Sequence, residues 1–154
     1  MAVREVVQVF PAENLAELVE AALPGSIDPE DRWDGSALWV NPGRVAEVAR
    51  FICDEPTLDF QFLNSITAVD YIDHIEVVYH LTSFKHLHTA VVKTKLYGRE
   101  GLSLPSVYQV WRGADFQERE IWDLMGVNFQ GHPNMKRIML WEGFEGHPLR
   151  KDFL

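Results

Sequence analysis

Residues 60–96 read FQFLNSITAVDYIDHIEVVYHLTSFKHLHTAVVKTKL. Three runs within them, 60–69, 75–83 and 88–96, are rich in β-branched and aromatic residues, the types that fit a pleated, half-buried surface. In the middle run Ile75, Val77, Tyr79 and Leu81 alternate with Glu76, Val78, His80 and Thr82. Successive strand side chains point to opposite faces, so one face is core and the other is mixed. Residues 70–73 and 83–86 read as turns, and the three runs as an antiparallel meander.

Toward the N-terminus, 41–52 opens with Asn41-Pro42, a cap followed by proline at the first helical position. This helix carries Val45, Val48, Ala49 and Ile52 inwards, and Pro56 stops it. Ala37-Leu38-Trp39-Val40 reads as a short strand, and the acidic, turn-rich 26–35 as a surface loop. Residues 11–23 place Leu15, Leu18, Val19 and Ala22 at helical spacing with Glu13, Glu17 and Glu20 between them, an amphipathic helix ended by Pro24-Gly25.

Toward the C-terminus, 98–101 breaks the strand pattern, and Leu104-Pro105-Ser106 caps a short helical turn over 107–111. A helix follows at 116–125, closed by Gly126, which tolerates the left-handed conformation that stops a helix. At ~100° per residue Phe116, Ile121, Trp122, Leu124 and Met125 cover about two-thirds of its circumference, more than one neighbouring layer hides. Arg119 and Asp123 share the remaining arc, with Glu120 grouped beside them just past its margin, and Arg119 and Asp123 stand at the i,i+4 spacing of an ion pair; Glu118 falls on the apolar side. These charges read either as a network inside an assembly or as a solvated face, and the residues alone favour the solvated face.

From Gly131 onward the chain reads as irregular, with Gly-His-Pro twice, at Gly131-His132-Pro133 and Gly146-His147-Pro148. Each proline pins its own φ and biases the residue before it towards extended backbone, so the tail is expected to be an ordered strap. The fold class is therefore α+β, helices packed on a largely antiparallel sheet, with an extended C-terminal strap. One domain is expected, with 1–113 as its body and 114–154 as a helix and strap suited to docking a partner.

The totals narrow the function. A chain of 154 residues, 47% apolar, holds one ordinary core. Its net charge of −9 argues against nucleic-acid binding, which needs a basic patch. Residues 131–154 carry net +1, leaving −10 on the rest, an asymmetry that suits a tail laid on an acidic surface. The single cysteine, Cys53, excludes a disulfide framework and any iron–sulfur cluster held by this chain's own thiolates. The opening MAVREVVQVFPAENL lacks a basic-then-apolar leader, and no apolar run approaches the roughly 18–20 residues that span a bilayer; membrane association is expected only through partners.

Catalytic motifs are missing. His86 and His88 share a strand face beside His74 and His80, but no cysteine or carboxylate stands at ligand spacing, so the expected metal set is none. His132 or His147 with Glu120 or Asp123 has the elements of a base and its orienting carboxylate. No nucleophile elbow, phosphate loop, dinucleotide fingerprint or H-E-x-x-H accompanies them. A histidine before proline is more often bonded to nearby backbone, which here would pin the strap. Trp111, Phe116, Trp122, Phe129, Trp141, Phe144 and Phe153 crowd the last third and are read as interface anchors.

Several of these residues form a specific pattern: Glu118-Arg119-Glu120, Asp123-Leu124, Gly126-Val127, Phe129, Gly131-His132-Pro133, Arg137-Ile138 and Gly146-His147-Pro148-Leu149-Arg150-Lys151-Asp152. It resembles the signature of the C-type subunit of the proton-pumping NADH:quinone oxidoreductases, respiratory complex I, often called its 30-kilodalton subunit. Thr67-Ala68-Val69-Asp70-Tyr71 and the element order are similar too. Met125 stands where an aromatic is usual and Phe144 where tryptophan is usual. The resemblance implies a peripheral-arm subunit without a cofactor of its own, FMN and iron–sulfur clusters lying in other chains. It would pack on the quinone-site subunit, of the 49-kilodalton or D-type class, at the cytoplasmic or matrix side of the membrane. Glu118, Arg119, Glu120, Trp122, Asp123, Gly126, Gly131, His132, Pro133, Arg137, His147, Pro148, Arg150, Lys151 and Asp152 are then interface and structural residues. Complexes fed by ferredoxin, deazaflavin or hydrogen use similar subunits. The reading from another class is a stand-alone histidine- or metal-dependent hydrolase, which needs a water-accessible pocket converging on His132 or His147.

Overall fold

The computed structural model describes residues 6–35 and 37–154. Along the chain it runs β1 (Gln8–Val9), α1 (Ala12–Ala22), β2 (Trp33–Asp34) and β3 (Ala37–Trp39). A 3-10 turn (Pro42–Arg44) continues into α2 (Val45–Asp54). Then come β4 (Phe62–Asp70), β5 (His74–Ser83), β6 (His88–Tyr97), β7 (Ser103–Pro105), α3 (Ala114–Met125) and β8 (Asn128–Gln130). The main sheet has the order β2-β3-β6-β5-β4, with β1 also paired to β6. β4, β5 and β6 form the expected antiparallel meander, with Tyr79 opposite both Ile66 and Val92.

Two features have no local signal. β3 joins β6 in parallel, Leu38 opposite Val92, and β1 does so with Gln8 opposite His88. β7 and β8 form a second, parallel pair with Leu104 opposite Phe129. The helical turn expected over 107–111 is only one hydrogen-bonded turn, the Trp111 N–H reaching the Val107 carbonyl at 2.9 Å. The last third therefore holds one helix, not two.

The alternation in β5 is realised: Ile75, Val77, Tyr79 and Leu81 are all buried. α2 lays Val45, Val48, Ala49 and Ile52 into the same core, where fully burying each large aliphatic is worth about 1.5–3 kcal/mol. α1 departs from expectation. It buries Ala12, Leu15, Ala16 and Val19 while Leu18 and Ala22 face solvent, because the small alanines let the helix approach the sheet edge closely. Asn41 makes no side-chain cap; its amide instead donates to the carbonyls of Gly25 and Ile27 at 2.8 and 3.3 Å, tying the 26–35 loop down. Trp111 and Phe129 are core residues, not interface anchors, at 4% and 1% exposure. The Trp111 indole N–H is satisfied by the Phe60 carbonyl at 2.9 Å.

Candidate functional site

α3 packs beside β4 and ends at Gly126, whose φ of +79° is the left-handed stop the sequence implied. Its burial inverts the wheel. Arg119 and Asp123 on the polar arc are buried, as is Glu118, and only Glu120 is solvated, while Phe116 on the apolar side is 62% exposed. The solvated-face reading is therefore corrected for Arg119 and Asp123, and so is their ion pair. Asp123 bonds to Arg137, and Arg119 donates to the carbonyls of Lys136 and Arg137, both at 3.2 Å. The physical reason is the tail, which lies over that arc and supplies better partners.

Asp123 is the centre of the arrangement. One carboxylate oxygen takes the Arg137 Nη1 at 2.6 Å, and the other accepts the backbone N–H groups of Ile138, Met139 and Leu140 at 3.1, 2.7 and 2.8 Å. Burial pushes this carboxyl's pKa upward, but the Arg137 hydrogen bond and the three N–H groups outweigh it, and the net shift is down. Arg137 also donates to the carbonyls of Asp123, Phe144 and Gly146 at 3.0, 2.6 and 2.8 Å. One residue of α3 thus orders two separate segments of the tail.

Both Gly-His-Pro motifs clasp α3, one at each end. His132, its side chain fully buried, places Nε2 3.0 Å from an Asp115 carboxylate oxygen and 3.2 Å from the Asp115 carbonyl, and its Nδ1 accepts the Asn134 N–H at 2.9 Å. That network assigns the proton to Nε2. His147 donates from Nδ1 to the Asp123 carbonyl at 3.0 Å and packs on Trp122 with ring centroids 5.0 Å apart. The Leu149 N–H takes the Leu124 carbonyl at 3.0 Å. The last turn of a helix leaves carbonyls without helical partners, and here the tail satisfies them. Gly126 must be glycine for a second reason: a Cβ there would sit 2.7 Å from the His147 ring.

The end of the tail is tied to the β4–β5 turn. Buried Asp70 pairs with Arg99 through two bonds of 2.7 and 2.8 Å and accepts the backbone N–H groups of Ile72 and Lys151, both at 2.8 Å. The Arg99 guanidinium, with those two N–H groups and against the cost of burial, holds this carboxyl far below the usual carboxylate range. Arg99 also meets Asp152 at 2.8 Å, and Arg150 meets Asp152 at 3.1 Å and the Arg99 carbonyl. Asp70 and Arg99 lie outside the site residues expected from the sequence. The Asp70-Tyr71 turn stands out in the sequence, but a partner 29 residues away leaves no local mark.

Glu118 forms a third centre. Its oxygens accept the Ser106 hydroxyl at 2.6 Å and the Val107 N–H at 3.1 Å. Burial, only partly offset by those two bonds, pushes its pKa up to about 7. Large apolar side chains of the tail face solvent, Met139, Trp141 and Leu149 at 62%, 68% and 59% exposure, among exposed charges at Lys136, Glu142, Glu145, Lys151 and Asp152. The strand histidines converge on no metal-ligand set. His86 and His88 bond through Nε2 to the carbonyls of Pro56 and Leu58 at 2.7 and 2.9 Å. Among the described residues no group of three or more His, Cys, Asp or Glu is arranged to hold a metal ion, and no helix is long and apolar enough to cross a membrane.

The family model described as respiratory-chain NADH dehydrogenase, 30 Kd subunit, matches residues 38–154. The chain is 41% identical over 138 residues to the C-type subunit of the NADH-quinone oxidoreductase of Roseiflexus castenholzii, covering 87% of this chain and 79% of that protein. It is 41% identical over 143 residues to the protein of the same name from Roseiflexus sp. strain RS-1, covering 90% and 82%. Among solved structures, a chain of the membrane-bound sulfane sulfur reductase, an archaeal respiratory membrane complex, is similar at a TM-score of 0.70 and 26% identity, covering 92% of this chain and 84% of that one.

Proposed function

The chain belongs to the family of the respiratory-chain NADH dehydrogenase 30 Kd subunit, and from that premise we propose that it is a peripheral-arm subunit of a proton-translocating NADH:quinone oxidoreductase. In this reading it binds no cofactor, FMN and iron–sulfur clusters residing in other subunits. It docks through α3 and residues 131–154 on the quinone-site subunit, of the 49-kilodalton type, at the cytoplasmic side of the membrane. The site residues from Glu118 to Asp152 serve folding and docking, and electron transfer runs through neighbouring chains.

The observation that carries the proposal is an apolar surface held rigid by a buried polar frame. Met139, Trp141 and Leu149 point outward from a tail fixed by Asp123, Arg137 and the two histidine clasps. Large apolar side chains exposed together on one ordered segment support an interaction site there. Against the hydrolase reading stand the His132 side chain, fully buried and bonded at both ring nitrogens, and His147, bonded to the Asp123 carbonyl. Likeness to the sulfane sulfur reductase chain keeps a second reading, the equivalent subunit of a membrane complex with another electron donor. The higher identity to the NADH-quinone oxidoreductase subunits favours the first.

The test is purification through an affinity tag from native membranes, with the quinone-site subunit expected in equal amount. Met139→Glu combined with Trp141→Asp should leave the isolated chain folded with a cooperative melt, both side chains being more than half exposed, and remove most of the co-purified partner. Undiminished recovery of the partner would refute docking through this surface.

A further inference from the structure

β4 ends the main sheet, and part of its outer edge is unpaired. The Ile66 N–H points away from β5 and is taken by the side-chain oxygen of Gln117 on α3 at 2.6 Å. A side-chain amide thus stands where a neighbouring strand's carbonyl would. In an antiparallel ladder the same direction recurs at every second residue. Ala68 therefore sends its own N–H and C=O outward, and among the described residues none bonds to them outside the sheet.

Folded proteins blunt such edges with charges, prolines or bulges. Residues 66–68, Ile-Thr-Ala, have none of these; the helix beside them, α3, caps the edge through Gln117 at Ile66 but gives Ala68 no hydrogen bond among the described residues. The β4 bulge lies before them, between Leu63 and Ser65, and the Asp70–Arg99 pair closes the strand after them. A groove of about 350 Å3 runs along this open stretch, floored by 65–68 and walled by Gln117, Glu120, Ile121 and Leu124 of α3 and by Leu149 of the tail. It is continuous with the docking surface proposed above. A helix lying in it would leave the outward backbone groups without partners, because its own are already bonded; an extended segment satisfies them.

Resting on that docking reading, we propose that the partner protein adds an extended strand to β4 at residues 66–68, with apolar side chains against Ile121, Leu124 and Leu149 and a lysine or arginine meeting Glu120. Gln117 holds the Ile66 N–H until the strand replaces it. This is β-augmentation, in which backbone pairing supplies affinity and flanking side chains supply selectivity.

The experiment is hydrogen exchange, read by mass spectrometry on peptides spanning 63–70, for the isolated chain and for the complex purified through it. Exchange at Ala68 should slow by about tenfold or more in the complex, the worth of one or two backbone hydrogen bonds. An unchanged rate in an intact complex overturns the strand and leaves the docking reading standing. Failure of any partner to co-purify overturns both. Slowing that appears in the isolated chain as its concentration rises, together with dimerisation, assigns the edge to a second copy and overturns the proposal as well. Ala68→Pro supplies an independent arm: proline is tolerated where an edge N–H faces outward, so melting should be retained while recovery of the partner falls about tenfold. Retained recovery with a folded variant overturns the strand, and if the variant does not fold, the exchange rates of the unsubstituted chain decide.

Discussion

Glu118 receives two hydrogen bonds in a fully buried setting and has no cation among them. Asp70 and Asp123, equally enclosed, each have an arginine, and the difference sets opposite pH behaviour. The two aspartates have folded pKa values below their ordinary ones. Their contribution to stability is present above the ordinary carboxylate range and is lost as pH falls below about 4. Glu118, raised to about 7, contributes fully below the unfolded value near 4.5, and loses that contribution as pH rises through about 7. Glu118→Gln mimics the protonated acid: its amide oxygen accepts the Val107 N–H, and its amide nitrogen donates to the Ser106 oxygen, reversing that bond. The substituted and parent chains should therefore melt alike near pH 4.5 and diverge up to pH 8, the variant becoming the more stable by on the order of 3 kcal/mol. Denaturant melts across that range check it, and parallel curves would show that Glu118 stays ionised in the fold. Little of this was legible in the residues. Glu118 on the apolar side of a helical wheel announces burial, but its donors, Ser106 and Val107, stand 12 and 11 residues earlier at the start of a short turn, and nothing local ties them to α3.

At the scale of elements, the doubled Gly-His-Pro was the most readable feature of the tail. Its histidines were expected to bond backbone, and they do, at Asp115 and Asp123. What periodicity did not carry was the direction of α3. A wheel assumes that polar means solvent, whereas the partners of Arg119 and Asp123 arrive 14 to 18 residues later along an irregular path. The same limit hid β1, the pairing of β3 with β6 and the β7–β8 pair, whose partners are distant in sequence while meander strands pair with their neighbours. The clasp at the C-terminal end of α3 depends on Gly126 in two ways, its φ of +79° and the His147 ring against it. Gly126→Ala meets both obstacles, the left-handed conformation alone costing about 1 kcal/mol or more. The expected result is a folded chain whose 131–154 segment is cut several-fold faster by a dilute protease, while cleavage before residue 98 is unchanged. Equal cleavage of the tail in both chains would mean that His147 does not hold it.

Taken whole, the molecule uses its tail as part of its own fold, and in the proposed reading as a surface for a partner as well. The charge asymmetry read from the sequence is realised only in part. Arg137 does reach an acidic residue ahead of the tail, Asp123 of α3, but Asp70 is neutralised by Arg99, just after β6, and Lys151 offers it a backbone N–H rather than an ammonium group. Two truncations separate these contributions. Ending the chain after Leu140 keeps Arg137 and all three N–H groups on Asp123, and removes the Phe144 and Gly146 carbonyls and the Lys151 N–H. Ending it after Gln130 also removes Arg137, the three N–H groups and the segment laid over Asp123 and Arg119, so two charges of α3 lose their partners together. Breaking a buried pair from one side costs about 3–5 kcal/mol, a large share of the 5–15 kcal/mol that holds a typical domain together. The shorter deletion should therefore melt cooperatively at a lowered denaturant midpoint, and the longer one should lose roughly 3 kcal/mol more, with loss of helical signal from α3. Identical midpoints would show that Asp123 is relieved by protonation or by water once the tail is gone, and that α3 stands without the segment laid across it.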